Sequence, residues 1–146
     1  MENTPSTDVE STNDQFLKTA KELAVEHKTD EILFIIGVNE TQGGGPIIQV
    51  EIISIHDKIA VAERQQVVSL WNEKILIFTL AINPNDIQEV LHAEITGYDT
   101  KTESFIRTLP DGTKHNNLGK LPAIQSSTAP LFDTIEKLKS HLFNPR

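Results

Sequence analysis

Two short apolar runs constrain this chain most: ILFIIGV at residues 32–38 and ILIFTLAI at residues 75–82. Both are far below the ~18 residues that would span a bilayer. Both are rich in β-branched side chains, and neither leaves a polar face. Runs of this kind read as central strands covered on both sides. Two such strands need apolar layers above and below, so the rest of the chain must supply those layers.

Helices at the two ends are the natural covers. Phe16, Leu17, Ala20, Leu23 and Ala24 recur at helical spacing and predict a helix from about Asn13 to His27. Thr12 and Gln15 have the spacing of a capping box, and His27 and Lys28 place cations at its C-terminal end. At the other end, Thr128 reads as an N-cap with Pro130 in the first turn. Leu131, Ile135, Leu138 and Leu142 then form an i, i+4, i+7, i+11 stripe, stopped by Asn144-Pro145.

Between these ends the period is mostly that of strands. In IIQVEIISI (47–55), Ile48, Val50 and Ile52 share one face, while Gln49 and Glu51 interrupt the other. Residues 39–46 (NETQGGGP) read as a flexible hairpin loop. Residues 57–73 admit two readings, one helix to Trp71 or a strand at Ile59–Ala62 followed by a helix at Arg64–Asn72. Glu63 and Arg64 would interrupt the apolar arc of a single helix, so strand plus helix is preferred. Asn83-Pro84-Asn85-Asp86 has turn and cap chemistry for a short helix carrying Ile87, Val90 and Leu91. Ala93–Tyr98 and Ser104–Leu109 read as a hairpin, and residues 113–127 as a long loop.

The expected fold is therefore α+β, a mostly antiparallel sheet of five or six strands with N-terminal and C-terminal helices packed on it. This element order is loosely similar to that of small acidic secretion chaperones. The resemblance is one of architecture, size and charge, with no shared motif.

Charge is unevenly placed. The chain carries a net charge of −8, and residues 1–15 hold Glu2, Asp8, Glu10 and Asp14 with no Lys or Arg. Residues 1–12 accordingly read as a disordered acidic tail, and 13–146 as a single domain. No basic footprint suggests nucleic acid or an anionic membrane surface as a partner. The absence of cysteine rules out disulfides, thiolate nucleophiles and cysteine-bound zinc. With no secretory signal at the start, a cytoplasmic location is expected.

Chemical motifs are sparse. Gly43-Gly44-Gly45 lead through Pro46 into a strand, not into a helix N-terminus, so they read as a mobile hairpin tip before a phosphate cradle. The five histidines make no HxxxH or HExxH pattern. His56 falls at a turn, and His115 in the long loop where functional groups often sit. No catalytic residue, metal site or cofactor is assigned. Trp71, Tyr98 and Phe105 are candidates for a protein interface, Trp71 also for the core.

Two classes of function compete. The favoured one is a non-enzymatic protein–protein interaction module: an adaptor, a secretion-chaperone-like protein or an immunity-type inhibitor. Its partner would be a protein, with a basic one favoured by acidic steering, and homo-oligomers are allowed. The alternative is a small-molecule-binding protein or hydrolase with the 39–46 loop as a flap and Gly43, Gly44, Gly45, His56 and His115 at the site. A third reading is a structural subunit of a larger assembly, joined through strand edges.

Overall fold

The computed structural model describes residues 4–40, 47–83, 85–99, 104–108, 121, 123–124 and 129–144. The order is α1 (Thr4–His27), β1 (Ile32–Glu40), β2 (Ile47–Ser54), β3 (Ile59–Glu63), α2 (Arg64–Asn72), β4 (Leu76–Asn83), β5 (Asp86–Asp99), β6 (Ser104–Thr108) and α3 (Ile135–Phe143).

The strands lie in the order β3-β2-β1-β4-β5-β6. The first five form a mixed sheet. β1 and β4 are parallel at its centre, and every other pairing is antiparallel. The sixth strand pairs only with the far half of β5, from Ile95 to Asp99. The parallel pair follows from the order of elements, because β3 and α2 carry the chain across β1 before β4 begins.

The two doubly apolar runs are the central strands, and they divide their side chains between two cores. Ile32 and Phe34 face α1, where Ala20, Leu23, Ala24, Phe78 and Leu80 complete the cluster. Leu33 and Ile35 face the other way, towards Val67 and Leu70 of α2 and Leu138 and Leu142 of α3. A bulge in β1 between Ile35 and Gly37 keeps Val38 opposite Val50, as Ile35 is opposite Ile52. Without that extra residue Val38 would turn to the other face. Burying each large aliphatic side chain contributes about 1.5–3 kcal/mol.

Several expectations change. The segment from Asp86 is not a helix but the start of the 14-residue strand β5. The polar residues read as a cap serve a hairpin turn: the Asn85 amide donates to Asn83 Oδ1 at 2.9 Å, and the Gln88 amide to Asp86 Oδ1 at 3.1 Å. The same local chemistry opens helices and closes turns. Alternation then decides, since Leu91, Ala93 and Ile95 share one face of a strand.

The C-terminal helix starts at Ile135, not near Thr128. Its N-cap is Thr134, whose hydroxyl accepts from the Lys137 amide at 3.2 Å. Leu131, part of the expected stripe, instead bridges to Val61, and the Val61 amide donates to the Pro130 carbonyl at 2.8 Å. Residues 130–131 thus run beside edge strand β3.

At the other end, α1 begins at Thr4, well before Asn13. Gln15 does not close a capping box there, because its position lies inside the helix. Its side-chain amide donates to the Ile87 carbonyl at 3.2 Å, tying α1 to the β4–β5 turn. No helix among the described residues is long and apolar enough to cross a membrane.

Candidate functional site

The end of α1 is built as a Schellman motif. The Lys28 amide donates to the Val25 carbonyl at 3.2 Å, and the Thr29 amide to the Ala24 carbonyl at 3.1 Å. Lys28 occupies the left-handed position, φ 56°, where glycine is the usual residue. Thr29 Oγ1 then accepts from the Glu31 amide at 3.0 Å and directs the chain into β1.

Opposite this helix end lies the β2–β3 turn. The Ser54 amide donates to the Lys58 carbonyl at 3.0 Å, and the Asp57 amide to the Ser54 carbonyl at 3.1 Å. The His56 amide reaches Ser54 Oγ at 3.3 Å. Asp57 is left-handed at φ 60°, a conformation Asp tolerates better than most residues. This turn holds Ile55 and His56 half-buried towards α1.

Helix end and turn enclose an open cleft of about 620 Å³ lined by Lys21, Ala24, Val25, Lys28, Thr29, Asp30, Ile55 and His56. Its floor is apolar, from Ala24 and Ile55, and its rim is charged. Val25 stands on the rim at 78% exposure. Beside it, Lys18, Lys21, Glu22 and Val25 form a second shallow concavity on the outer face of α1. Among the described residues, no carboxylate is ion-paired with Lys18, Lys21 or Lys28. A chain of net charge −8 therefore presents three ammonium groups without an ion-paired carboxylate on α1 and at the residue just after it, with an exposed aliphatic side chain among them.

The residues singled out from the sequence do not converge. His56 lines the cleft. Gly43, Gly44, Gly45 and His115 lie outside the described residues, and of that set His56 alone is described. Trp71 is half-buried near the end of α2, packed against the core beneath the sheet. It also borders a small groove with Asn72, Lys74, Ile75 and Leu76. Tyr98 and Phe105 are register partners across the β5–β6 hairpin, against which α2 packs. No group of three or more metal-ligating side chains occurs among the described residues.

Lys21, Val25, Lys28, Asp30 and Ile55 were not singled out in the sequence. One signal pointed to Val25: it is an aliphatic residue off the apolar stripe of α1, between charged neighbours Lys21 and Glu26. Nothing local marks Lys28 as left-handed, because that follows from where the helix must stop to enter β1.

Residues 34–122 match the family described as a protein of unknown function, DUF3892, and the chain belongs to that family. The matched stretch runs from within β1 to residue 122, so it includes His56 but neither α1 nor α3. No curated protein and no solved structure matches the chain.

Proposed function

For this member of the DUF3892 family we propose a polypeptide-binding role: a protein–protein interaction module that uses the cleft between α1 and the β2–β3 turn. The observation that carries the reading is the lysine-rimmed cleft with Val25 exposed on its edge. An aliphatic side chain left in water between unpaired ammonium groups is a surface suited to a partner of matching pattern. That pattern is an acidic segment with interspersed apolar residues. Net charge alone suggested a basic partner, and the local arrangement favours the opposite sign. The open shape suits one or two side chains of a polypeptide lying across the cleft.

A second reading rests on the size of the cleft, which falls within the range of about 300–1,000 Å³ usual for small-ligand sites. Lys21, Lys28 and His56 would then hold a small anion.

Fluorescence anisotropy separates the two. The probes are a labelled peptide of repeating Leu and Glu, one of repeating Leu and Lys, and inorganic phosphate as competitor. The acidic peptide is expected to bind, to weaken as salt rises, and to be lost in Val25→Asp and in the double variant Lys21→Glu/Lys28→Glu. Equal binding of both peptides, or none of either, overturns the proposal. Displacement by millimolar phosphate at constant ionic strength would favour the small anion instead.

A further inference from the structure

Strand β3 lies at one end of the strand order, and two hydrogen bonds fix the directions of its backbone groups. The Ser54 amide donates to the Lys58 carbonyl at 3.0 Å, so position 58 points towards β2. The Val61 amide donates to the Pro130 carbonyl at 2.8 Å, so position 61 points outwards. Alternation then puts Ile59, Val61 and Glu63 on the outer edge, and Ala60 and Ala62 on the side paired with β2. Each outward position is met by a group from another element. The Ile59 carbonyl lies 2.9 Å from His141 Nε2, and because a carbonyl only accepts, that ring nitrogen carries the proton. Val61 bridges to Leu131. The Glu63 amide donates to Gln66 Oε1 at 2.9 Å. The Nε2 of that same Gln66 donates to the Phe132 carbonyl at 2.8 Å, and the Phe132 and His141 rings pack with centroids 5.1 Å apart. Residues 130–132 are thus held by β3, α2 and α3 at once. The strand brings little protection of its own. IAVAE has no Pro and no Lys, and no bulge breaks its register with β2. Those are common means by which an edge strand avoids pairing with another chain.

We infer that residues 130–132 are a strap that closes the β3 edge, clamped by Gln66 and His141, and that the released edge takes β3 of a second copy of the chain. An antiparallel pairing about a two-fold at Val61 sets Val61 against its own counterpart and Ile59 against Glu63 of the second copy. No like charges face each other in that register, and the surface is self-complementary, as an isologous contact requires. The strap is releasable because Leu131 is 52% exposed, so much of the hold falls to the two clamps and to Phe132. Neither clamp lines the cleft beside α1, so this inference and the proposed function stand or fall separately.

The test unclamps the strap in the full chain with Gln66→Glu/His141→Leu. Glu at 66 keeps an oxygen for the Glu63 amide and removes the donor to Phe132, and Leu at 141 removes the donor to Ile59. Amide hydrogen exchange at micromolar concentration reads the edge directly. Exchange at Val61 should be at least about tenfold faster than in the native chain, with Ala60 and Ala62 unchanged because their amides face β2. Sedimentation equilibrium up to near-millimolar concentration should then show a reversible dimer that the native chain does not form under the same conditions. Adding Val61→Pro removes the outward amide without touching the β2 ladder and should restore the monomer. Where proline perturbs the fold, Val61→Lys should do the same by setting like charges across the two-fold. Unchanged exchange at Val61 in the unclamped variant overturns the inference. So does exchange that rises equally at Ala60 and Ala62, because the strap would then be part of the core and not a separate closure. An unclamped chain that stays monomeric, or a dimer that survives both changes at Val61, overturns it as well.

Discussion

Lys28, which lines the cleft, and Asp57, which follows the cleft-lining His56, are both left-handed, at φ 56° and φ 60°. One ends α1 and the other turns β2 into β3, so the two strained corners of this side of the sheet flank one site. For a lysine the left-handed conformation costs about 1–2 kcal/mol. Asp carries a smaller cost because its short polar side chain favours the region. In exchange, Lys28 holds a cation at the C-terminal end of the helix, where the macrodipole stabilises it, and at the rim of the cleft.

A glycine at position 28 separates those effects. Lys28→Gly should raise the unfolding free energy by about 1 kcal/mol, through relief of the left-handed strain. It should at the same time weaken binding of the acidic peptide several-fold. Asp57→Gly should gain less stability and leave peptide binding intact. Urea unfolding paired with anisotropy reads both. A destabilised Lys28→Gly variant would show that the motif does not carry the expected strain.

Trp71 tests the division between core and interface. It packs on the cluster formed by Val67, Leu70, Leu138 and Leu142, away from the cleft. Trp71→Ala should lower stability by about 2–4 kcal/mol, as truncation of a large packed aromatic does, with unchanged affinity for the acidic peptide. Lost affinity at unchanged stability would return Trp71 to the role of interface anchor.

Much of the layering was legible in the sequence, and the failures have physical causes. The runs 32–38 and 75–82 could only be central strands, because no other short element buries both faces. The strand-plus-helix reading of 57–73 also matches β3 and α2, since Glu63 and Arg64 do not fit one apolar arc. The Asp86 segment was read as a helix because Asn and Asp favour caps and turns alike. Only pairing with β4, from Phe78 opposite Glu94 to Asn83 opposite Asp86, selects the strand. Leu131 fitted the α3 stripe by spacing, yet edge strand β3 captured its backbone and left the side chain 52% exposed. The cleft was hidden for a different reason. Its two walls come from residues 21–30 and 55–56, which the β1–β2 pairing brings together, and no local pattern records that pairing.

Two exposed ion pairs around α3 give opposite pH dependences. The hydrogen bond from Lys139 to Glu73, which ties α3 to the end of α2, raises the Lys139 ammonium above its ordinary range. Its contribution is full below the ordinary lysine range and disappears as pH climbs through the raised value. Asp133 is held below its usual range by the hydrogen bond from Lys137, 3.1 Å away, and then by the charge of that lysine. That contribution is present above the ordinary aspartate range and is lost as pH falls through the lowered value. Both pairs are exposed and screened by salt. Thermal melts should therefore show a small deficit for Lys139→Met that vanishes in strong alkali. The deficit for Asp133→Asn should vanish in strong acid. Deficits independent of pH would assign both residues a packing role.

The central claim is that α1 and the β2–β3 turn form one docking surface. Amide chemical-shift mapping during titration with the Leu–Glu peptide tests it most directly. The account predicts perturbations concentrated at Lys21, Val25, Lys28, Thr29, Asp30 and His56, saturating together and fading at high salt. Perturbations centred on Trp71 and Lys74, or on the β5–β6 hairpin, with the cleft residues unmoved, would contradict it.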